Sequence, residues 1–120
     1  MAKRTKRVAA PSREPAKPRG LSPDDARAIA LALPGAEEGA HMGHPDFRVR
    51  GKIFASLPPD GRSVSLKVTP ANLDALVTAD PNTYAAIWGG RWLCVTLATV
   101  TRAALHALIA DSWSLVAPKR

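Results

Sequence analysis

The sequence predicts an α+β fold: a single domain with an antiparallel sheet and helices packed on it, ordered helix, three or four strands, helix, one or two strands, helix. Three observations carry that expectation. Apolar residues recur at helical spacing behind helix starts at Ser22, Thr69-Pro70 and near Thr101. Between Gly39 and Val68 the period changes to two, the spacing of a sheet with one buried face. Turn-forming pairs at Pro34-Gly35, Asp60-Gly61 and Asp80-Pro81 punctuate these segments. At 120 residues, with 46% hydrophobic and 22% charged, the chain has material for one modest core.

The first helix has Ser22 as N-cap, Pro23 at its first position, and Asp24 and Asp25 at the positive end of the dipole. Ala26, Ile29, Ala30 and Leu33 form its apolar stripe, and Pro34-Gly35 is expected to stop it. In the next segment Phe47, Val49, Ile53, Ala55 and Leu57 share one parity while Arg48, Arg50 and Lys52 take the other, so one strand should carry three cations on one face. Phe54 breaks this pattern, through either a kink near Gly51 or burial on both faces. Pro58-Pro59-Asp60-Gly61 reads as a hairpin turn, followed by Val64, Leu66 and Val68 alternating with Ser63, Ser65 and Lys67. A second helix starts at Thr69-Pro70 and ends at Asp80-Pro81. Trp92–Leu97 reads as a central strand, and a last helix from Thr101 turns Leu105, Leu108, Ile109, Ser112, Trp113 and Val116 toward one side.

The net charge of +7 is unevenly placed. Residues 1–20 hold Lys3, Arg4, Lys6, Arg7, Arg13, Lys17 and Arg19 against Glu14, a net +6, which leaves +1 for the remaining residues. That segment, rich in Pro and Ala, is expected to be a disordered basic tail, because it lacks the apolar side chains that offset the entropy of folding. The domain is expected to span residues 21–118. A cationic arm can hold phosphates without reading sequence, and it can equally serve as a solubilising extension. No apolar run approaches the ~18 residues of a membrane span, and the basic start lacks the apolar stretch of a secretory signal, so a soluble, cytoplasmic protein is expected. The single Cys94 excludes an intramolecular disulfide and a Cys-rich zinc site, and its strand context reads as a packed thiol.

Several ordered blocks resemble the MmcQ/YjbR family. They are Leu33-Pro34-Gly35-Ala36-Glu37-Glu38, then Gly43-His44-Pro45-Asp46-Phe47-Arg48-Val49 with Gly51-Lys52-Ile53-Phe54-Ala55, then Leu66-Lys67-Val68, and a late Trp92 followed by an apolar strand. The resemblance covers residues 21–118. It implies a fold like that of the α/β class that includes secretion chaperones, likened also to a double-wing DNA-binding domain, and it implies DNA binding as the family's usual description. The basic arm lies outside this resemblance and inherits nothing from it.

The residues expected to contact nucleic acid are Arg48, Arg50, Lys52 and Lys67 on the sheet, Arg62 at a hairpin tip and Arg91 in the connector before Trp92. Alternate strand positions lie roughly 7 Å apart, close to the spacing of successive phosphates, and the bland alternative is a solvated sheet face. No side chain announces base reading, so backbone contacts with little sequence specificity are expected. Trp88 and Trp92 beside Arg91 can stack on unpaired bases or on a planar ligand, or can simply pack against the rim. His41 and His44, with Asp46 nearby, invite a metal reading, but no second cluster completes a set of three or four ligands, so no metal is expected and His44 is read as shaping a turn. Glu37-Glu38 reads as a solvated loop pair. Phosphate-loop and nucleophile-elbow patterns are missing, so neither catalysis nor a cofactor is expected. The leading reading is DNA binding. Its alternative is a protein-interaction or chaperone-like module gripping a peptide along the sheet or the Tyr84–Trp92 rim, and a small-ligand pocket under the tryptophans is a third. Oligomeric state is not legible.

Overall fold

In the computed structural model, which describes residues 20–117, the expected helix starts are met. Ser22 Oγ accepts from the Asp25 backbone N–H while the Asp25 carboxylate accepts from the Ser22 N–H, and this reciprocal box starts α1 (Pro23–Leu31). Thr69 caps α2 (Pro70–Ala79) and Thr101 caps α3 (Arg102–Val116), each through its side-chain oxygen. The strands are β1 (Ala36–His41), β2 (His44–Val49), β3 (Lys52–Ser56), β4 (Ser63–Lys67), β5 (Tyr84–Ile87) and β6 (Trp92–Thr96). They form one antiparallel sheet in the order β1-β2-β3-β4-β6-β5. The fold is thus α+β, three helices on a six-stranded sheet, in the anticipated element order. The basic segment lies, Gly20 apart, outside the described residues, as does Pro118.

Residues directly opposite in an antiparallel ladder share a face. Phe47 pairs with Ala55, Ala55 with Leu66 and Leu66 with Leu93, so these buried side chains line one face. Ala26, Ile29 and Ala30 of α1 and Leu105 and Ile109 of α3 complete the same core. α2 lies on this side as well: Leu76 shares a cleft with Leu108 of α3, and Leu73 and Val77 border Ala86, which pairs with Leu93. The three described helices therefore occupy one face. Across the other runs a row of small or polar residues, Gly39, Asp46, Ser56, Ser65, Cys94 and Ala85, one from each strand. Cys94 is half-buried there.

The structure revises or sharpens five local expectations. Phe47–Leu57 is not one strand, because Arg50 and Gly51 turn the chain at φ 54° and 82° and divide it into β2 and β3. Phe54 is the extra residue of a β-bulge, since Phe47 pairs with Ala55 and Arg48 with Ile53, and the bulge explains why its parity fails. Glu37 and Glu38 belong to β1 rather than a loop, and Glu38 accepts a 3.0 Å bond from Arg27 Nε of α1. Tyr84–Ile87 is an edge strand, with Ala85 and Ala86 exposed. The first helix ends at Leu31, ahead of the Pro34-Gly35 stop. No described helix is long and apolar enough to cross a membrane.

Candidate nucleic-acid interface

The ladder sorts the chemistry-bearing residues to the two ends of the sheet. Ile87 pairs with Trp92 and Trp92 with Lys67, so β5, β6 and β4 bring these three residues into one row. The β2–β3 turn, with Arg50 and Lys52, closes the same end, and Trp88 to Arg91 form the β5–β6 connection beside it. Four of the expected contact residues, Arg50, Lys52, Lys67 and Arg91, thus lie at the same end of the sheet as both expected stacking residues, with Lys52, opposite Val49, on the other face from Lys67 and Trp92. None of the four cations makes an ion pair among the described residues.

The aromatic part of this end has defined geometry. Lys67 Nζ stands 5.8 Å from the Trp92 ring centroid, a cation–π contact. Trp88 meets Trp92 edge to face, with centroids 5.5 Å apart and planes at 68°. Trp88 remains 58% exposed, and its backbone sits at φ 50°, a region that bulky residues rarely occupy. Gly89 and Gly90 continue at φ 73° and 80°, so the connection leaves the sheet by a path that presents the indole to solvent. Beneath it, the buried Ser112 hydroxyl of α3 donates a 2.6 Å bond to the Lys67 carbonyl and anchors the end of β4 to the helical layer.

Arg48, Arg50 and Lys52 do not share a face. Arg48 projects with Asp46, its Nε 2.7 Å from Oδ1 and its Nη2 2.8 Å from Oδ2, and the guanidinium is held against the sheet. Lys52 pairs with Val49 and so belongs to the opposite parity, while Arg50 lies in the turn between them. Periodicity fails here because two residues at positive φ reverse the chain. Asp46 is fully buried and also contacts His41 Nδ1 at 2.6 Å. The Arg48 guanidinium, then burial in opposition, then His41 act on its carboxyl, and the balance holds it below the usual carboxylate range. Gly39 makes this possible: a Cβ there would stand 2.7 Å from Arg48 Nε and 3.0 Å from Asp46 Oδ1.

Arg62 is exposed at the other end, in the β3–β4 connection that Asp60 organises by accepting from the Arg62 and Ser63 backbone N–H groups at 2.8 and 3.2 Å. It is separated from the Lys67–Trp92 row by the length of β4. Sequence reasoning missed two interactions of consequence, the Asp46–Arg48 pair and the bond from Ser112 to the Lys67 carbonyl. Asp46 and Arg48, two apart on one strand and of opposite charge, carried a legible signal of pairing; Ser112, one hydroxyl within an apolar helix stripe, signalled only a buried polar group in need of a partner. Among the described residues no group of three or more His, Cys, Asp and Glu converges to hold a metal ion.

The fold is similar to that of the crystal structure of Deinococcus radiodurans protein DR2400, which carries a DUF419 domain. The two superpose with a TM-score of 0.71 at 27% identity, covering 82% of this chain and 80% of that one. The YjbR family model matches residues 31–115, and the chain belongs to the YjbR family. No curated protein matches it.

Proposed function

We propose that the protein binds nucleic acid through the end of the sheet formed by Arg50, Lys52, Lys67, Arg91, Trp88 and Trp92, with the basic N-terminal arm adding affinity. The observation that carries this reading is the Lys67–Trp92–Trp88 cluster, where a cation and two indoles stand at the end of the sheet that also carries exposed Arg50, Lys52 and Arg91. Phosphates meet the cations by releasing counterions, and an unpaired base finds an aromatic platform at Trp88. The contact is with backbone and base faces, so little sequence specificity follows. Arg48 supports the sheet through Asp46 in this reading, and Arg62 stands apart from the contact surface. The interaction needs neither catalysis nor a cofactor.

The test is a titration of labelled single-stranded and duplex DNA with the full chain at two salt concentrations, read by anisotropy and by tryptophan quenching. Tighter binding to the single strand, with quenching and a steep salt dependence, is the expected outcome; salt-independent or absent binding overturns it. A second reading, peptide capture by strand addition, is favoured by the short exposed edge strand β5. Its affinity would be nearly indifferent to salt.

A further inference from the structure

The two edges of the sheet are finished differently. β1 carries the adjacent carboxylates Glu37 and Glu38, whereas β5 has no charge and no proline, and it pairs with β6 without a bulge. Edge strands are protected by such features, by shortness or by a covering segment, and among the described residues β5 has only its shortness. The phase of its hydrogen bonds defines what a covering strand meets. Thr96 N–H donates to the Thr83 carbonyl, so Ala85 and Ile87 turn their backbone groups toward β6, and Tyr84 and Ala86 turn theirs outward. The Tyr84 N–H is engaged by the Asp80 carbonyl, which leaves the Tyr84 carbonyl and both backbone groups of Ala86 on the open edge. On the helix side of that edge lies a cleft lined by Pro70, Leu73, Val77, Ala86 and Gly90, together with the exposed Asp74. Asp74 makes no ion pair among the described residues.

The chain itself supplies a segment of matching chemistry. Within residues 1–19, Val8-Ala9-Ala10 is the one run of three apolar residues, with Lys6-Arg7 before it and Pro11 after it. The arm also begins on the right side. Leu21 N–H donates to the Leu97 carbonyl, which places Gly20 just beyond the Thr96 end of β6, the end at which β5 begins. A segment that leads into Gly20 along this edge therefore runs opposite to β5, as neighbours throughout this sheet do. From a residue opposite Tyr84 to Gly20 is about 12 Å at ordinary strand spacings, and the ten residues after Ala10 reach about 33 Å.

We propose that residues 6–10 of the chain's own N-terminal arm add to β5 as a seventh, antiparallel strand, with Val8 opposite Ala86. Val8 then exchanges both backbone hydrogen bonds with Ala86, and Ala10 N–H donates to the Tyr84 carbonyl. Val8 and Lys6 share the helix face, Val8 over Leu73 and Val77 and Lys6 toward Asp74, while Arg7 falls on the other face opposite Ile87. Pro11 takes a position where the ladder needs no N–H. The docking does not rest on the nucleic-acid reading; its consequence for that reading is that Lys6 and Arg7 come to the end of the sheet that bears Trp88 and Arg91.

Amide hydrogen exchange and methyl NOEs, measured on the full chain without nucleic acid, test the docking. The Ala86 amide should exchange about tenfold or more slowly in the native chain than in full-length Val8→Asp or Ala10→Pro variants, as an added backbone hydrogen bond implies. Val8 methyls should show NOEs to Leu73 and Val77, and Asp74→Ala should reduce the Ala86 protection only slightly, since the ion pair is exposed. Both arm substitutions lie outside the packed core, so the fold is retained while the edge is tested. Equal Ala86 exchange in the native and arm-substituted chains overturns the proposal, as does the absence of the Val8 NOEs. NOEs seen only between differently labelled copies in a mixed sample overturn it too, because they assign the edge to the arm of a second molecule.

Discussion

At one end of β2 the chain reverses through Met42 and Gly43 at φ 51° and 84°; at the other it reverses through Arg50 and Gly51 at φ 54° and 82°. Both are two-residue hairpin turns with a glycine second, the pattern of a type I′ turn, and both place a residue at the first position that the conformation disfavours. The backbones match, yet the chemistry beside them is opposite. The Met42 turn is flanked by two histidines and a buried carboxylate that absorbs the charge of Arg48. The Arg50 turn shares its end of the sheet with Lys67, Arg91 and two tryptophans, where the cations make no ion pair among the described residues. Turn shape is thus a local matter, while the electrostatic character of each end is set by which strands the ladder brings alongside.

The sharpest way to break this contrast is to remove the cations at one end only. Four phosphate contacts give a log–log salt slope of about −3 on single strands, or about 60-fold loss of affinity between 50 and 200 mM salt. Replacing Arg50, Lys52, Lys67 and Arg91 together by Ala should leave only the salt dependence of the N-terminal arm, whereas Arg62→Ala should leave the slope as it was. Anisotropy titrations at several salt concentrations check both. Trp88→Ala comes next: it should weaken single-strand binding by about 1–3 kcal/mol, the worth of one base stacked on an aromatic ring, with a much smaller effect on duplex.

The opposite end is probed through stability. Gly39→Ala would drive a methyl into the Arg48–Asp46 pair and should destabilise the fold by about 1–3 kcal/mol in urea unfolding, as overpacking does, with DNA affinity at the cationic end retained. The pH dependence follows from the same pair. The Asp46 carboxyl is held below its ordinary value, chiefly by Arg48, so its contribution to stability is fully present above the unfolded value near 3.8 and is lost as pH falls through the lower folded value. Asp25 and Asp60 are lowered too, by the Ser22 cap and by the Arg62 backbone N–H, so Asp46→Asn should flatten the acid limb of an unfolding curve without abolishing it. The smallest effect belongs to the turn: Met42→Asn, which suits positive φ, should stabilise by about 0.5–1 kcal/mol in thermal unfolding.

Much of the fold was legible. The three helices start at Ser22, Thr69 and Thr101, where helix chemistry placed their beginnings, and Pro58–Gly61 does link two paired strands. The order of elements also followed, since β1 to β4 are consecutive neighbours, as short connections favour. The candidate site was half legible. Lys67, Trp88, Arg91 and Trp92 were singled out by type and do come together, but the strand expected to carry Arg48, Arg50 and Lys52 on one face does not exist as a single strand. Alternation assumes a continuous extended backbone, and it lost meaning where a dipeptide with both φ values positive turned the chain.

The sequence by itself determined the class of fold, the helix starts and the supply of cations and indoles, because capping, periodicity and composition act over a few residues. Only the tertiary structure decided which charges meet. It buried Asp46 against Arg48, sent Lys52 to the other parity, and set Lys67 over Trp92 by pairing β4 with β6 across an intervening helix and strand. Long-range strand pairing fixes these neighbours, since register depends on burial of the whole sheet rather than on any stretch of chain that could be read alone.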